Sequence, residues 1–251
     1  MINIFKNILG KVLLKLPIIR YKQFVYKFLG VKSSDKHCKY FIGNPKLVGS
    51  YSNLLMHDNS EIERNCFILA KEKIEFQDAN LKISNYNDLM KSFVNSYDEI
   101  KKAFPNEPLP WEATISGTSE NFNDKCLNIV LNYYSFTGGA HGNEGVNSVF
   151  FNLETGKEIL QKDLFLDYEG FKKIVERDFR SANELSETDN INKKGHLFVN
   201  DKFSLAQNII ITPTEIILHY NKYEIAPYSS GITMIKFPMA SFKKYLNPLY
   251  F

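Results

Sequence analysis

The sequence predicts an α+β protein, mainly an antiparallel meandering sheet with helices packed on one side, behind an N-terminal amphipathic helical arm. Three observations carry that reading. Leu89, Phe93, Tyr97, Ile100 and Phe104 recur at helical spacing and run into the stretch ProAsnGluProLeuPro, which stops a helix. Beyond those prolines the apolar period falls from 3.6 to 2. Trp111, Ala113 and Ile115 alternate with polar residues, as do Leu127, Ile129, Leu131 and Tyr133, and then Val149, Phe151 and Leu153. A second helical pattern follows over Tyr168 to Ala182, with Phe171, Ile174, Val175 and Phe179 inward.

The elements fall in order along the 251 residues. Residues 1–36 form the arm and 37–251 the body. From Met1 to Ser34 there are seven basic residues and no acidic one, so the body carries the remaining 24 basic residues against 28 acidic, a net −4 within a chain of +3. That total is too small to suggest nucleic acid, whereas the asymmetry fits targeting or an anionic surface. The arm reads as two short amphipathic helices hinged at Pro17. Ile2, Phe5, Leu9, Val12 and Leu16 share a face, and Lys6, Lys11, Lys15, Arg20, Lys22 and Lys27 are the residues that would meet an anionic membrane surface. Packing of the arm on the body is the other reading. Its apolar runs are shorter than the roughly 20 residues that cross a bilayer, and lysines interrupt the core that a secretory signal needs.

Turn formers dominate His37 to Ser60, a natural boundary between arm and body. Ile62 to Phe76 could begin as a helix and end as a strand. GluThrGlyLys at 154–157 is a glycine turn. SerGluThrAspAsnIleAsnLysLysGly at 186–195 reads as a long exposed loop. Gln207 to Thr212 and Glu215 to Tyr220 read as strands turned by ThrProThr. Thr233 to Phe237 is a further strand, and Pro238 begins a terminal helix carrying Phe242, Tyr245 and Leu246.

Two motifs stand out against this frame. TyrSerPheThrGlyGlyAlaHisGlyAsn (Tyr134 to Asn143) precedes PhePheAsnLeuGluThrGlyLysGluIle and LysAspLeuPhe, and TyrAsnLysTyrGluIleAlaProTyrSerSerGly spans Tyr220 to Gly231. Together, over about residues 85–246, they resemble the RsiV-like domain of unknown function. ProTrpGlu at 110–112 fits a similar step before the first strand of the sheet in that family. In that family the domain forms the extracytoplasmic part of lysozyme-sensing anti-sigma factors, accompanies deacetylase domains in PdaC-like proteins, and stands alone in bacterial envelope proteins. The resemblance implies an envelope setting and a lysozyme-type muramidase or a cell-wall glycan as candidate partner. The chain departs from the family in its basic arm and in lacking a sigma-binding domain, a clear transmembrane helix and the metal-binding catalytic domain of the deacetylases.

The residues themselves favour recognition over chemistry. His141 could act as a base for Ser135, Thr137 or Cys126, but no GxSxG elbow is present. HExxH is absent and the five histidines show no paired ligand spacing, so neither metal nor other cofactor is expected. The glycines lie between two strands, where phosphate cradling needs a strand and a helix. Cys38, Cys66 and Cys126 leave two readings open, one disulfide with a free thiol or three reduced thiols. The expected site is a partner-binding face made of Thr137, Gly138, Gly139, His141, Gly142 and Asn143 with Tyr223, Pro227 and Tyr228. Tight-turn glycines and locally packed tyrosines are the structural alternative. Lys222 and Glu224 read as solvated charges, and His219 as a packed or exposed strand residue. The functional expectation is a non-enzymatic, envelope-associated binding protein. The alternatives are a hydrolase or deacetylase accessory using His141, and a membrane-surface protein acting through its arm.

Overall fold

The computed structural model describes residues 21–22, 27–28, 38–44, 60–74, 83–105, 111–121 and 125–251. Its larger sheet is built from β1 (Tyr21–Lys22), β2 (Lys27–Phe28), β3 (Cys38–Asn44), β4 (Trp111–Asn121), β5 (Cys126–Phe136), β6 (Asn143–Asn152) and β7 (Glu158–Ile159). The order is β2-β3-β4-β5-β6-β7, with β1 also on β4. All these pairings are antiparallel except β3 with β4. Parallel neighbours need a long crossover, and here that connection contains α1 (Ser60–Ile74) and α2 (Tyr86–Ala103).

The antiparallel α+β class expected from the sequence is the class observed. Period-two burial holds along the central strands, with Trp111, Ala113, Ile115, Leu127, Ile129, Leu131, Val149 and Phe151 all buried. Leu127 pairs with Phe151 and Ile129 with Val149, so these four share one face. Ile62 and Cys66 of α1 close over that face. The ambiguous stretch from Ile62 is therefore helical through Ile74, because Ile62, Cys66, Ala70 and Ile74 all fall inward at four-residue spacing. α2 starts where Asn85 accepts a hydrogen bond from the Asp88 amide at 3.0 Å. It buries Leu89, Phe93 and Tyr97, the last two against Trp111.

The opposite face of β5 and β6 contributes Cys126 and Phe150 to a second, larger core. That core is completed by α3 (Tyr168–Ala182) and a three-stranded antiparallel sheet of β8 (Asn208–Ile211), β9 (Glu215–Tyr220) and β10 (Thr233–Pro238). Asp167 caps α3 by accepting from the Gly170 amide at 2.8 Å, and Phe171, Val175 and Phe179 are buried. Fully burying a phenylalanine contributes about 1.5–3 kcal/mol, and Phe171 also stacks on Phe165 at 4.5 Å.

Three expectations change in detail. Of the helical arm, Lys6, Lys11, Lys15 and Arg20 lie outside the described residues. Tyr21–Lys22 and Lys27–Phe28 are strands instead, paired with β4 and β3, in a stretch whose aromatic and β-branched residues suit a sheet. The loop at 186–195 is pinned, because Ile191 is buried and Arg180 donates to the carbonyls of Ser186 and Asp189 at 3.1 and 2.9 Å. The terminal helix is only one turn, α4 (Met239–Phe242), followed by a 3-10 turn at Lys243–Tyr245. The Leu166 amide takes the Tyr245 carbonyl, and the Asn247 amide takes the Leu164 carbonyl, so the backbone is committed to residues 164–166 and cannot continue the helix.

Candidate functional site

The β5–β6 hairpin closes on the pair Ser135 and Asn143, leaving a loop that contains Thr137 to Gly142. Gly138 and Gly139 adopt φ of 107° and 94°, a region that side chains resist. Gly142 serves the loop in a different way. A Cβ there would fall 2.4 Å from the Tyr134 ring, so the chain passes directly across that ring. The loop thereby presents His141 outward, exposed, from the end of a rigid two-strand ribbon.

β9 delivers the second segment to the same place. Only Phe150 and Phe151 of β6 pair with β7, so β6 would otherwise present unpaired backbone groups at its outer edge. Two asparagine side chains fill that role. The Asn221 amide accepts from the Val146 amide and donates to the Val146 carbonyl, both at 2.9 Å, as a neighbouring strand would. Asn208 accepts from the Ser148 amide at 2.9 Å, and the Ser148 hydroxyl donates to the Ile209 carbonyl at 2.7 Å. Gly145 lets these side chains close in: a Cβ there would sit 2.6 Å from the Tyr133 hydroxyl and 2.8 Å from the Asn221 oxygen, and both would have to shift.

Past Asn221 the chain turns, with the Glu224 amide donating to the Asn221 carbonyl at 3.1 Å. Tyr223 takes φ 67° at the third turn position, where type II turns favour glycine. A bulky residue in that conformation costs on the order of 1–3 kcal/mol. The turn directs Tyr223 at His141, whose Nε2 lies 3.0 Å from the tyrosine hydroxyl. The other ring nitrogen, Nδ1, lies 3.2 Å from the Gly142 carbonyl. A carbonyl only accepts, so the neutral ring carries its proton on Nδ1 and accepts at Nε2 from Tyr223. The imidazole stacks on Tyr228 with centroids 3.8 Å apart and planes 12° from parallel. The Lys222 ammonium stands 4.1 Å from the Tyr228 centroid and pairs with Glu144. Glu144 first, then the Tyr228 hydroxyl, raise the affinity of Lys222 for its proton.

Of the nine residues singled out from the sequence, His141, Gly142, Tyr223 and Tyr228 meet in one contact cluster. Gly138 and Gly139 shape its loop, Asn143 and Pro227 are exposed at its margins, and Thr137 stands half-buried at the loop's start. Lys222 and Glu224 are not the solvated charges expected. Lys222 is held by Glu144 and Tyr228, and Glu224 is partly buried with its carboxyl pushed up by burial. The supporting roles of Asn221, Glu144 and Glu224 escaped the sequence reading because their partners are distant: Lys222 and Glu144 lie 78 residues apart, Asn221 and Val146 75, and Glu224 and Gln207 17. His219 is buried in β9, where burial lowers its basicity.

The geometry bears on chemistry as well. Neither nitrogen of His141 meets a carboxylate that would orient it as a base, and its partners are a carbonyl and a phenol. Cys126 is buried with its thiol pushed up to about 12 by desolvation, away from thiolate reactivity. Among the described residues no three His, Cys, Asp or Glu side chains are grouped to hold a metal ion, and no helix is long and apolar enough to cross a membrane.

Comparison with known proteins supplies a family context. Residues 162–240 match the model of a protein family of unknown function, DUF3298, and residues 32–144 match the family model described as deacetylase PdaC. No curated protein matches the chain. Among solved structures, a DUF3298 family protein from Pseudomonas aeruginosa PAO1 is 21% identical, with a TM-score of 0.57 over 93% of each chain. A DUF3298 member from Bacteroides fragilis NCTC 9343 is 18% identical, with a TM-score of 0.59 over 92% of this chain and 94% of that one. At these identities the likeness is one of fold. The first match ends just after β6 begins and the second starts at residue 162, so the His141 loop falls in the first and the Tyr223–Tyr228 segment in the second.

Proposed function

We propose that this chain is a non-enzymatic binding protein of the bacterial cell envelope that docks a partner protein on the face formed by His141, Tyr223 and Tyr228. A lysozyme-type muramidase is the candidate partner. One observation carries the reading. Two segments 82 residues apart converge on an exposed aromatic and imidazole cluster whose backbone is fixed to the sheet. Pre-organised aromatic groups lose little entropy on binding and dominate the energetics of many interfaces. Tyr223 is 59% exposed, and the bare glycines beside it let a partner approach the main chain. Leu197, whose side chain is exposed, donates its amide to the carbonyl of Ile225, two residues along the chain from Tyr223, at 2.8 Å. The matches to DUF3298 and PdaC support the envelope setting, and the resemblance of both motifs to RsiV-like domains supports the muramidase. The excess of acidic residues beyond the arm suits a basic partner.

Calorimetric titration of the full chain with a panel of lysozymes tests this. Binding at micromolar or tighter concentrations is expected for at least one, and no heat with any of them overturns the partner. The accessory-hydrolase reading draws on the Tyr223 hydroxyl lying within hydrogen-bond reach of an exposed His141 and on the PdaC match. Acetate release from acetylated cell-wall glycan that disappears in His141→Ala would decide for it.

A further inference from the structure

We infer that Glu224 is the positioning residue of this face: its carboxylate locks the Asn221–Glu224 turn and so holds Tyr223 in the left-handed conformation that brings its hydroxyl to His141. The inference rests on the binding reading only in calling the face a docking surface. The clamp itself stands on distances.

One carboxylate oxygen of Glu224 accepts from the Gln207 amide at 2.7 Å, and the other accepts from the Asn221 amide at 2.8 Å. Within the turn, the Glu224 amide donates back to the Asn221 carbonyl at 3.1 Å. The turn is therefore closed twice, in opposite senses, and Lys222 and Tyr223 are the two residues left to project. Gln207 immediately precedes β8 and Asn221 immediately follows β9, so one carboxylate fixes the turn to both strands. The same Asn221 carries the side chain that grips Val146. The route from Glu224 to the β5–β6 ribbon is thus continuous, through a single residue.

The chemistry of the site explains why an acid stands there. Lys222 lies two residues away in sequence but pairs with Glu144, and both Glu224 oxygens are answered by main-chain amides. Burying a carboxylate in that way is costly. A glutamine of the same shape would avoid the cost, yet its amide nitrogen is itself a donor and could answer only one of the two N–H groups. The charge also reaches its surroundings. Burial, and secondarily the charge of Glu224, makes the nearby hydroxyls of Tyr133 and Tyr220 harder to ionise.

The test reads the tautomer of His141 and needs no partner. In the full chain labelled with 15N-histidine, at pH 8 where an ordinary imidazole is neutral, His141 should show a protonated-type Nδ1 and an unprotonated-type Nε2. In Glu224→Gln the released turn withdraws the Tyr223 hydroxyl, and the two resonances should move toward the Nε2–H pattern of a free imidazole. Retained Trp111 fluorescence reports that the fold is intact. Should Glu224→Gln not fold, Glu224→Asp serves, because its shorter arm cannot span both amides, and the same change is expected. An unchanged tautomer in the folded variant overturns the clamp, as does a wild-type protein without the Nδ1–H form. Failure of every lysozyme to bind leaves this readout untouched, and an unchanged tautomer removes the clamp even where a partner binds.

Discussion

Replacing Asn221 with alanine is expected to lower stability by about 2–3 kcal/mol, an effect large for a residue that is not in the apolar core. The magnitude follows from what the side chain replaces. Its amide supplies one donor and one acceptor to Val146, each at 2.9 Å, at a point where β7 does not reach along the outer side of β6. Each such hydrogen bond contributes roughly 0.5–1.5 kcal/mol, and a half-buried N–H or C=O left without a partner adds to the loss. Gly145 sharpens the expectation. A Cβ on residue 145 would sit 2.8 Å from the Asn221 oxygen, so the amide packs directly against the β6 backbone. Asn221→Asp should fare little better, because it keeps the acceptor and loses the donor. Urea denaturation measures the change. A shift in ΔG below about 0.5 kcal/mol, within the range of ordinary surface substitutions, would mean that Asn221 does not serve as a substitute strand.

The second large effect is on binding. Tyr223→Ala should weaken the complex about 30-fold, equivalent to about 2 kcal/mol, the threshold at which an interface residue counts as a hot spot. Its ring is exposed, already ordered by the positive-φ turn and tied to His141, so little rotamer freedom remains to be lost when a partner covers it. Tyr228 is different. It is half-buried, stacked by His141 and approached by Lys222, and serves more as the floor of the cluster than as its tip. Leu249 is also exposed, at 62%, but lies in the C-terminal segment outside this cluster. Leu249→Ala should leave affinity within a factor of two, about 0.4 kcal/mol. Equal losses at Tyr223 and Leu249 would contradict a localised face.

Much of the body was legible from periodicity. Leu127, Ile129 and Leu131 alternate because one side of β5 meets α1, and Phe171, Val175 and Phe179 recur because one side of α3 meets the second core. The turn at Glu154–Lys157 was legible from its glycine, and Gly156 takes φ 71° there. What periodicity could not reveal was how far the terminal helix would extend, since its end is set by hydrogen bonds to Leu164 and Leu166 far away in sequence. The parallel placement of β3 on β4 was equally hidden, because strand direction depends on where the intervening helices pack. At the site, the glycines, His141 and the tyrosines were visible as unusual local composition. Their supports were not. Asn221 and Glu224 look like ordinary polar turn residues until the edge of β6 and the amide of Gln207 are beside them.

The most direct measurement is hydrogen exchange on the chain with and without a bound lysozyme. If one docking face is made from two distant segments, amides in 137–143 and in 222–231 should gain protection together in the complex. Protection confined to one of the two stretches, or lying wholly elsewhere on the molecule, would contradict it.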